Sequence, residues 1–262
     1  MKSFSKVFFI VYSLAFLLSG CDELHLKSSG GVDYVVKEKS IDQERIRPTI
    51  TAIYDEASDS IIVTAWFELL GSSIREMPEL QDVKIENELS ITIDGNQMKF
   101  QTFESYLGDD SLSDIVGCEY NYKIEGLNDP SKVFVFKWTS QSGRTYTNNI
   151  QIPTALHLTN FPKSISSSSN SISVSYDGTM VASSEKVLIA MSVAGTSNTL
   201  NFDFGSQNLL ITSANLNLGS SSSLDLNLIH QSQNQANEMP PAGGSIVGEY
   251  HAVTTTIKIN PQ

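Results

Sequence analysis

An all-β chain, built as two tandem β-sandwiches behind a signal and a short tether, is the architecture expected from this sequence. Three observations lead there. Apolar residues recur with period two along most of the chain. The same runs concentrate β-branched and aromatic residues, and clusters of Gly, Pro, Asn and Asp separate them at regular intervals. In the first half, residues 49–54 (TITAIY), 60–69 (SIIVTAWFEL), 89–93 (LSITI), 97–103 (QMKFQTF), 118–125, 132–139 (KVFVFKWT) and 145–152 (TYTNNIQI) read as strands. Asp94-Gly95-Asn96, Asn128-Asp129-Pro130 and Ser142-Gly143-Arg144 are the turns between some of them. Residues 72–88 break the alternation and suit a short helix.

Seven strands in roughly 105 residues is the spacing of a sandwich, and here the chain resembles immunoglobulin-like domains. Trp138 shares its strand face with Phe134 and Phe136, as a core tryptophan would. Composition shifts after Ile152-Pro153: Ser, Thr and Asn dominate and charge thins out. Alternation continues at 172–176, 187–193, 200–204, 210–218, 224–228 and 253–259, enough for a second sandwich. The expected division is therefore signal peptide 1–20, lipidated N-terminus and tether 21–44, first sandwich 45–153 and second sandwich 154–262. Residues 32–36 could add an early strand within the tether. Ser-rich stretches at 164–173 and 220–223 read as loops. So does the Gln/Asn-rich segment between Gln231 and Gly248, which is long enough to be either functional or disordered.

The N-terminus is the most specific segment. Lys2 and Lys6 precede a charge-free run from Val7 to Leu18, which ends in Leu18-Ser19-Gly20-Cys21. Twelve residues suit a signal-peptide core and fall short of the ~20 that a spanning helix needs. The tetrad resembles the lipobox of bacterial lipoproteins. That resemblance implies recognition through Leu18, Ser19 and Gly20, cleavage after Gly20, and a thioether-linked lipid, with palmitate-type acyl chains, on Cys21. Each buried methylene contributes ~0.8 kcal/mol, so two or more chains anchor stably without a spanning helix. Asp22-Glu23 follow the cysteine. In some Gram-negative lineages an Asp there is similar to an inner-membrane retention signal. The expected location is thus the cell envelope, on the periplasmic face of the inner membrane, with the outer membrane or cell surface as the alternative.

The chain carries 17 basic and 29 acidic residues, a formal net charge of −12. Loss of Lys2 and Lys6 with the signal makes it about −14. No Lys/Arg cluster could neutralise phosphates, which argues against nucleic acid as a partner. After lipidation of Cys21 only Cys118 remains as a thiol. It opens an alternating run with Tyr120, Tyr122 and Ile124 on one face, so a buried inert thiol is expected, with an intermolecular disulfide as the alternative.

Enzyme motifs are absent from the sequence: no Gly-x-Ser-x-Gly, His-Glu-x-x-His, Walker loop or Gly-x-Gly-x-x-Gly occurs. His25, His157, His230 and His251 are far apart in sequence. Asp109, Asp110 and Asp114 form a compact acidic loop whose oxygens could hold Ca²⁺, though the EF-hand pattern is missing and a solvated loop is the plainer reading. Trp66 lies on the strand face opposite Ile61, Val63, Ala65 and Phe67, which makes it the candidate ligand or partner contact, with packing beneath a loop or against the second domain as the plainer reading. No cofactor is expected beyond the lipid. The functional expectation is a non-enzymatic scaffold or protein-interaction module binding another envelope protein. A surface adhesin or carbohydrate binder is one alternative, and an enzyme whose site assembles from distant residues is another.

Overall fold

Strands occupy nearly every period-two run of the sequence. The computed structural model describes residues 35–37, 43–69, 81–85, 90–106, 113–126, 131–178, 184–193, 196–202, 206–212, 215–216, 218 and 221–261. Among these, one 3-10 turn at Gln43–Arg45 is the only helical element, so the chain is all-β. The signal, the lipobox and residues 70–80, within which part of the short helix was expected, lie outside the described residues. Where that helix would have ended, Gln81–Lys84 is a strand.

The first half builds on two long strands. β1 (Val35–Lys37) falls in the tether segment, and β2 (Ile46–Asp55) and β3 (Ser60–Leu69) pair along their whole length. Alternation places Ile46, Ile50, Ala52 and Tyr54 of β2, and Ile61, Val63, Ala65 and Phe67 of β3, on one buried face. β4 (Gln81–Lys84) takes β1 in parallel. β5 (Ile91–Ile93) and β6 (Asn96–Gln97) are joined by Asp94-Gly95 alone. Both residues have positive φ, 49° and 80°, as a two-residue Asp-Gly hairpin requires. Asp94 is held there by Lys132 at 2.5 Å and by the Val135 amide at 2.8 Å. β7 (Lys99–Tyr106) pairs with β8 (Ser113–Glu125), and β8 pairs with β3. β9 (Val133–Thr139) carries the aromatic core and pairs with β5 and β10 (Thr145–Gln151). The order β2-β3-β8-β7 facing β10-β9-β5-β6 is a two-sheet arrangement of the immunoglobulin-like kind. Trp138, fully buried, bridges the sheets: its ring lies 4.8 Å from Phe67 and stacks on Tyr146 at 5.0 Å.

The second half repeats the plan. β11 (Leu158–Asn160), β13 (Ser171–Tyr176) and β16 (Asn208–Thr212) form one sheet. β14 (Glu185–Val193), β15 (Thr196–Asn201), β17 (Ser223–Gln233) and β19 (Thr255–Asn260) belong to the other. β12 (Ser164–Ser166), inside a stretch expected to be loop, pairs in parallel with β19. The segment between Gln231 and Gly248 is also shorter as a loop than expected. β17 runs to Gln233 and β18 (Ser245–His251) begins at Ser245, leaving 234–244.

The two halves do not have separate sheets. β18 pairs on one side with β17 and on the other, in parallel, with β2, from Thr49↔Ser245 to Asp55↔His251. The largest sheet therefore runs β1-β4-β3-β2-β18-β17-β14-β15 across Pro153. Register keeps its buried face continuous: Ala52 lies between Val63 and Gly248, and Tyr54 between Ile61 and Tyr250. The rings of Tyr54 and Tyr250 are 5.3 Å apart. Both smaller sheets cover this same face, and residues of both halves form one buried cluster within a single unit spanning Tyr34–Gln262.

Candidate functional site

Only some of the residues singled out by sequence fall among the described ones. Cys21, Leu18, Ser19, Gly20, Asp109 and Asp110 lie outside the described residues. Asp114 sits in β8, its backbone opposite Ser105, so it belongs to a strand rather than to the acidic loop. Among the described residues no group of His, Cys, Asp or Glu is arranged to hold a metal ion. Cys118 is buried, 1% exposed, and forms no disulfide among the described residues. Trp66 lies on the outer face of β3 opposite Thr49, half-buried. No described helix is long and apolar enough to cross a membrane, which says nothing of crossing by strands.

A polar constellation lies at the seam between the halves. Glu56 follows β2, and its amide donates to the His251 carbonyl at 3.0 Å. One carboxylate oxygen is 2.9 Å from His157 Nε2, and the other accepts the Val253 amide at 2.9 Å. His157 comes from the segment joining the halves. Its amide donates to Asp177 Oδ1 at 2.7 Å, while its Nδ1 stands 3.8 Å from Asp177 Oδ2. Tyr250 packs edge-on against the His157 ring at 6.1 Å. Burial works to raise the Glu56 pKa. The hydrogen bonds from His157 and Val253, the His157 charge and the Tyr250 hydroxyl outweigh it and hold Glu56 below the ordinary carboxyl value. Tyr250 is pushed the other way, by burial first and then by the neighbouring Glu56 carboxylate.

A second set of contacts fastens loop 234–244 to β10. Asn148 is 1% exposed. Its Oδ1 accepts the amides of Asn237 and Glu238, at 2.9 and 3.0 Å, and its Nδ2 donates to the Glu238 carbonyl at 2.7 Å. Glu238 in turn accepts the Thr147 amide at 2.6 Å. Asn234 imitates a strand residue: its Oδ1 accepts the Gln151 amide and its Nδ2 donates to the Gln151 carbonyl, at 3.0 and 3.1 Å. Glu238 and Asn234 thus cap backbone groups along an edge of β10 that would otherwise invite another strand, while Asn148 of β10 caps backbone groups of the loop. The loop read from sequence as functional or disordered is thus an internal staple. Its signal was present: Asn148 and His230 are polar residues at inward phases of apolar strands.

His230 and His251 are held in the same manner, while His25 lies outside the described residues. His230 is 2% exposed, with Nδ1 2.7 Å from the Thr154 carbonyl and Nε2 3.3 Å from Glu185. His251 Nε2 is 2.8 Å from Glu249, which also accepts from Gln231 at 2.8 Å. Burial opposes ionisation of Glu249, but the His251 hydrogen bond and charge lower its pKa overall. Among the described residues, His157, His230 and His251 each have a carboxylate partner, and the ring nitrogens of His230 are both engaged. In a hydrolytic triad one ring nitrogen is oriented by a carboxylate while the other reaches a nucleophile. At the seam the nearby ring hydroxyls are those of Tyr54 and Tyr250, and both have raised pKa values, from burial first and then from carboxylate neighbours. These contacts tie the two halves of the chain together.

No protein-family model matches the chain, and no curated protein matches it. Among solved structures, it is similar to a Ca²⁺-stabilised adhesin with which an Antarctic bacterium binds ice: 13% identity, TM-score 0.28, covering 82% of this chain and 49% of that one. It is also similar to the FN1–FN3 domains of chicken CNTN1, at 14% identity and TM-score 0.25, covering 81% and 66%. A 1.5-MDa bacterial ice-binding adhesin, described for host cell surface retention, gives 10% identity and TM-score 0.25, covering 83% and 66%. The chain therefore spans about half to two thirds of the lengths it matches. Likenesses this slight carry no conclusion about family or function.

Proposed function

We propose that this chain is a lipid-anchored protein of the bacterial cell envelope that acts as a non-enzymatic interaction module, presenting two β-sandwiches to a protein partner as one rigid platform. The observation that carries the reading is the continuous sheet through β2 and β18. A platform whose halves are already fixed has less freedom to lose when a partner docks, so more of the contact energy appears as affinity. The seam reinforces this: Glu56, His157, Asn148, Asn234 and Glu238 are committed to internal contacts across the halves. The lipobox-like tetrad supports the tether, and the acidic composition supports a basic or neutral partner surface over nucleic acid.

The test is photocrosslinking in intact cells with the reactive amino acid at position 66, on the outer face of β3, and at Ser58, in the exposed turn after β2, as control. A discrete protein adduct from position 66 alone supports the module. Crosslinks equal at both positions, or none, remove the protein-partner reading. Protease treatment of whole cells then separates locations: a protected protein agrees with the periplasmic face, and a shaved one with surface adhesion.

A further inference from the structure

We propose that the β2–β18 pairing is a tension-bearing joint, which resists force drawn between the N-terminal tether and the second half by shear of the whole ladder. The proposal rests on the tether reading above. Its basis is direction. β2 and β18 run parallel, and seven residue pairs join them. The tether enters β2 at Ile46, at one end of the ladder. The chain leaves β18 at His251, at the opposite end. A pull between these points acts along the strands, so the ladder hydrogen bonds share the load and fail together. A pull applied to both strands at the same end would open them one at a time. An antiparallel pair entered and left in this order would peel, so the parallel register gives the joint its strength.

The surroundings of the ladder fit this role. Past His251, Val253 is tied to Glu56 at 2.9 Å, which locks the exit end of β18 to the far end of β2. Beyond it, β19 is held by β17 and, again in parallel, by β12. On the inner face Gly248 lets Gln151 lie directly against the ladder: a Cβ there would stand 2.0 Å from the Gln151 carbonyl oxygen. β1, upstream, makes only three pairs with β4 and gives way before β2 is loaded.

Single-molecule force measurements on residues 21–262, produced without lipid, test the proposal. Both pulling geometries use a Val253→Cys handle, at a position 52% exposed. In the first the other handle is Cys21, which loads the ladder in shear. In the second it is Ser58→Cys in a Cys21→Ser background, which opens the ladder from the Asp55–His251 end. The expected result is a rupture force severalfold higher in the first geometry at equal loading rate. Equal forces, or a lower force in the first, overturn it. Both variants must first show the unfolding transition of the parent chain. Acyl labelling of Cys21 in cells is read separately: its absence withdraws the tether and leaves the force contrast standing, so the two failures are distinguishable.

Discussion

Tyr120 and Glu56 show how much of this molecule is decided by single side chains. Tyr120 is fully buried, and its hydroxyl both accepts the Ile85 amide at 2.8 Å and donates to the Ile85 carbonyl at 3.0 Å. Tyr120→Phe leaves both backbone groups without this partner in an apolar site, so a loss of about 1–3 kcal/mol is expected in denaturant unfolding. Glu56 concerns pH. Its folded pKa is lower than its ordinary value of 4.5, so it binds a proton less readily when folded than when unfolded. Its stabilisation is complete above the unfolded value and is lost as pH falls through the folded one. Glu56→Gln should therefore flatten the acid limb of stability below about pH 4.5, measured as unfolding midpoint against pH. An unchanged slope would show that the carboxylate is not the coupled group. At this scale sequence identified the buried residues Trp138 and Cys118 by strand phase. It could not find Glu56 and Asp177 as partners of His157, because that cluster exists only once distant strands are adjacent.

Among elements, β18 is the instructive one. It was hidden in a Gln/Asn-rich, Pro/Gly-containing stretch because its central inward position is Gly248, which interrupts the alternation between Ile246 and Tyr250. The glycine is needed for close approach, since the Gln151 carbonyl fills the space of a side chain. Gly248→Ala must push β10 away from β18, at a cost of about 1–3 kcal/mol, with the halves loosened relative to each other. Calorimetry checks this, the expected sign being a lower midpoint and a broader transition than the parent. Asn148→Ala should act on the same joint from the loop side. It leaves the amides of Asn237 and Glu238 without this partner, and proteolysis within 234–244 should become fast. Strand existence was legible in the first half wherever alternation runs unbroken, and β4 was missed because residues 72–88 interrupt it. β12 and β11, three residues each, are too short to show a period and were missed for that reason.

Taken whole, the molecule is one sheet of both halves covered on a single face by two smaller sheets. An all-β chain whose strands fall into two halves was readable from strand spacing and turn residues. Their fusion was not, since Thr49 and Ser245 are 196 residues apart and local pattern holds no information on which edge meets which. The joined platform depends on that fusion, which amide hydrogen exchange can read. If β2 and β18 are one ladder, the protected amides of 46–55 and 245–251 exchange together and only through global unfolding, with one common free energy. If those amides exchange much faster than the cores around Trp138 and Ile189, the halves are separate sandwiches and the joined platform is contradicted.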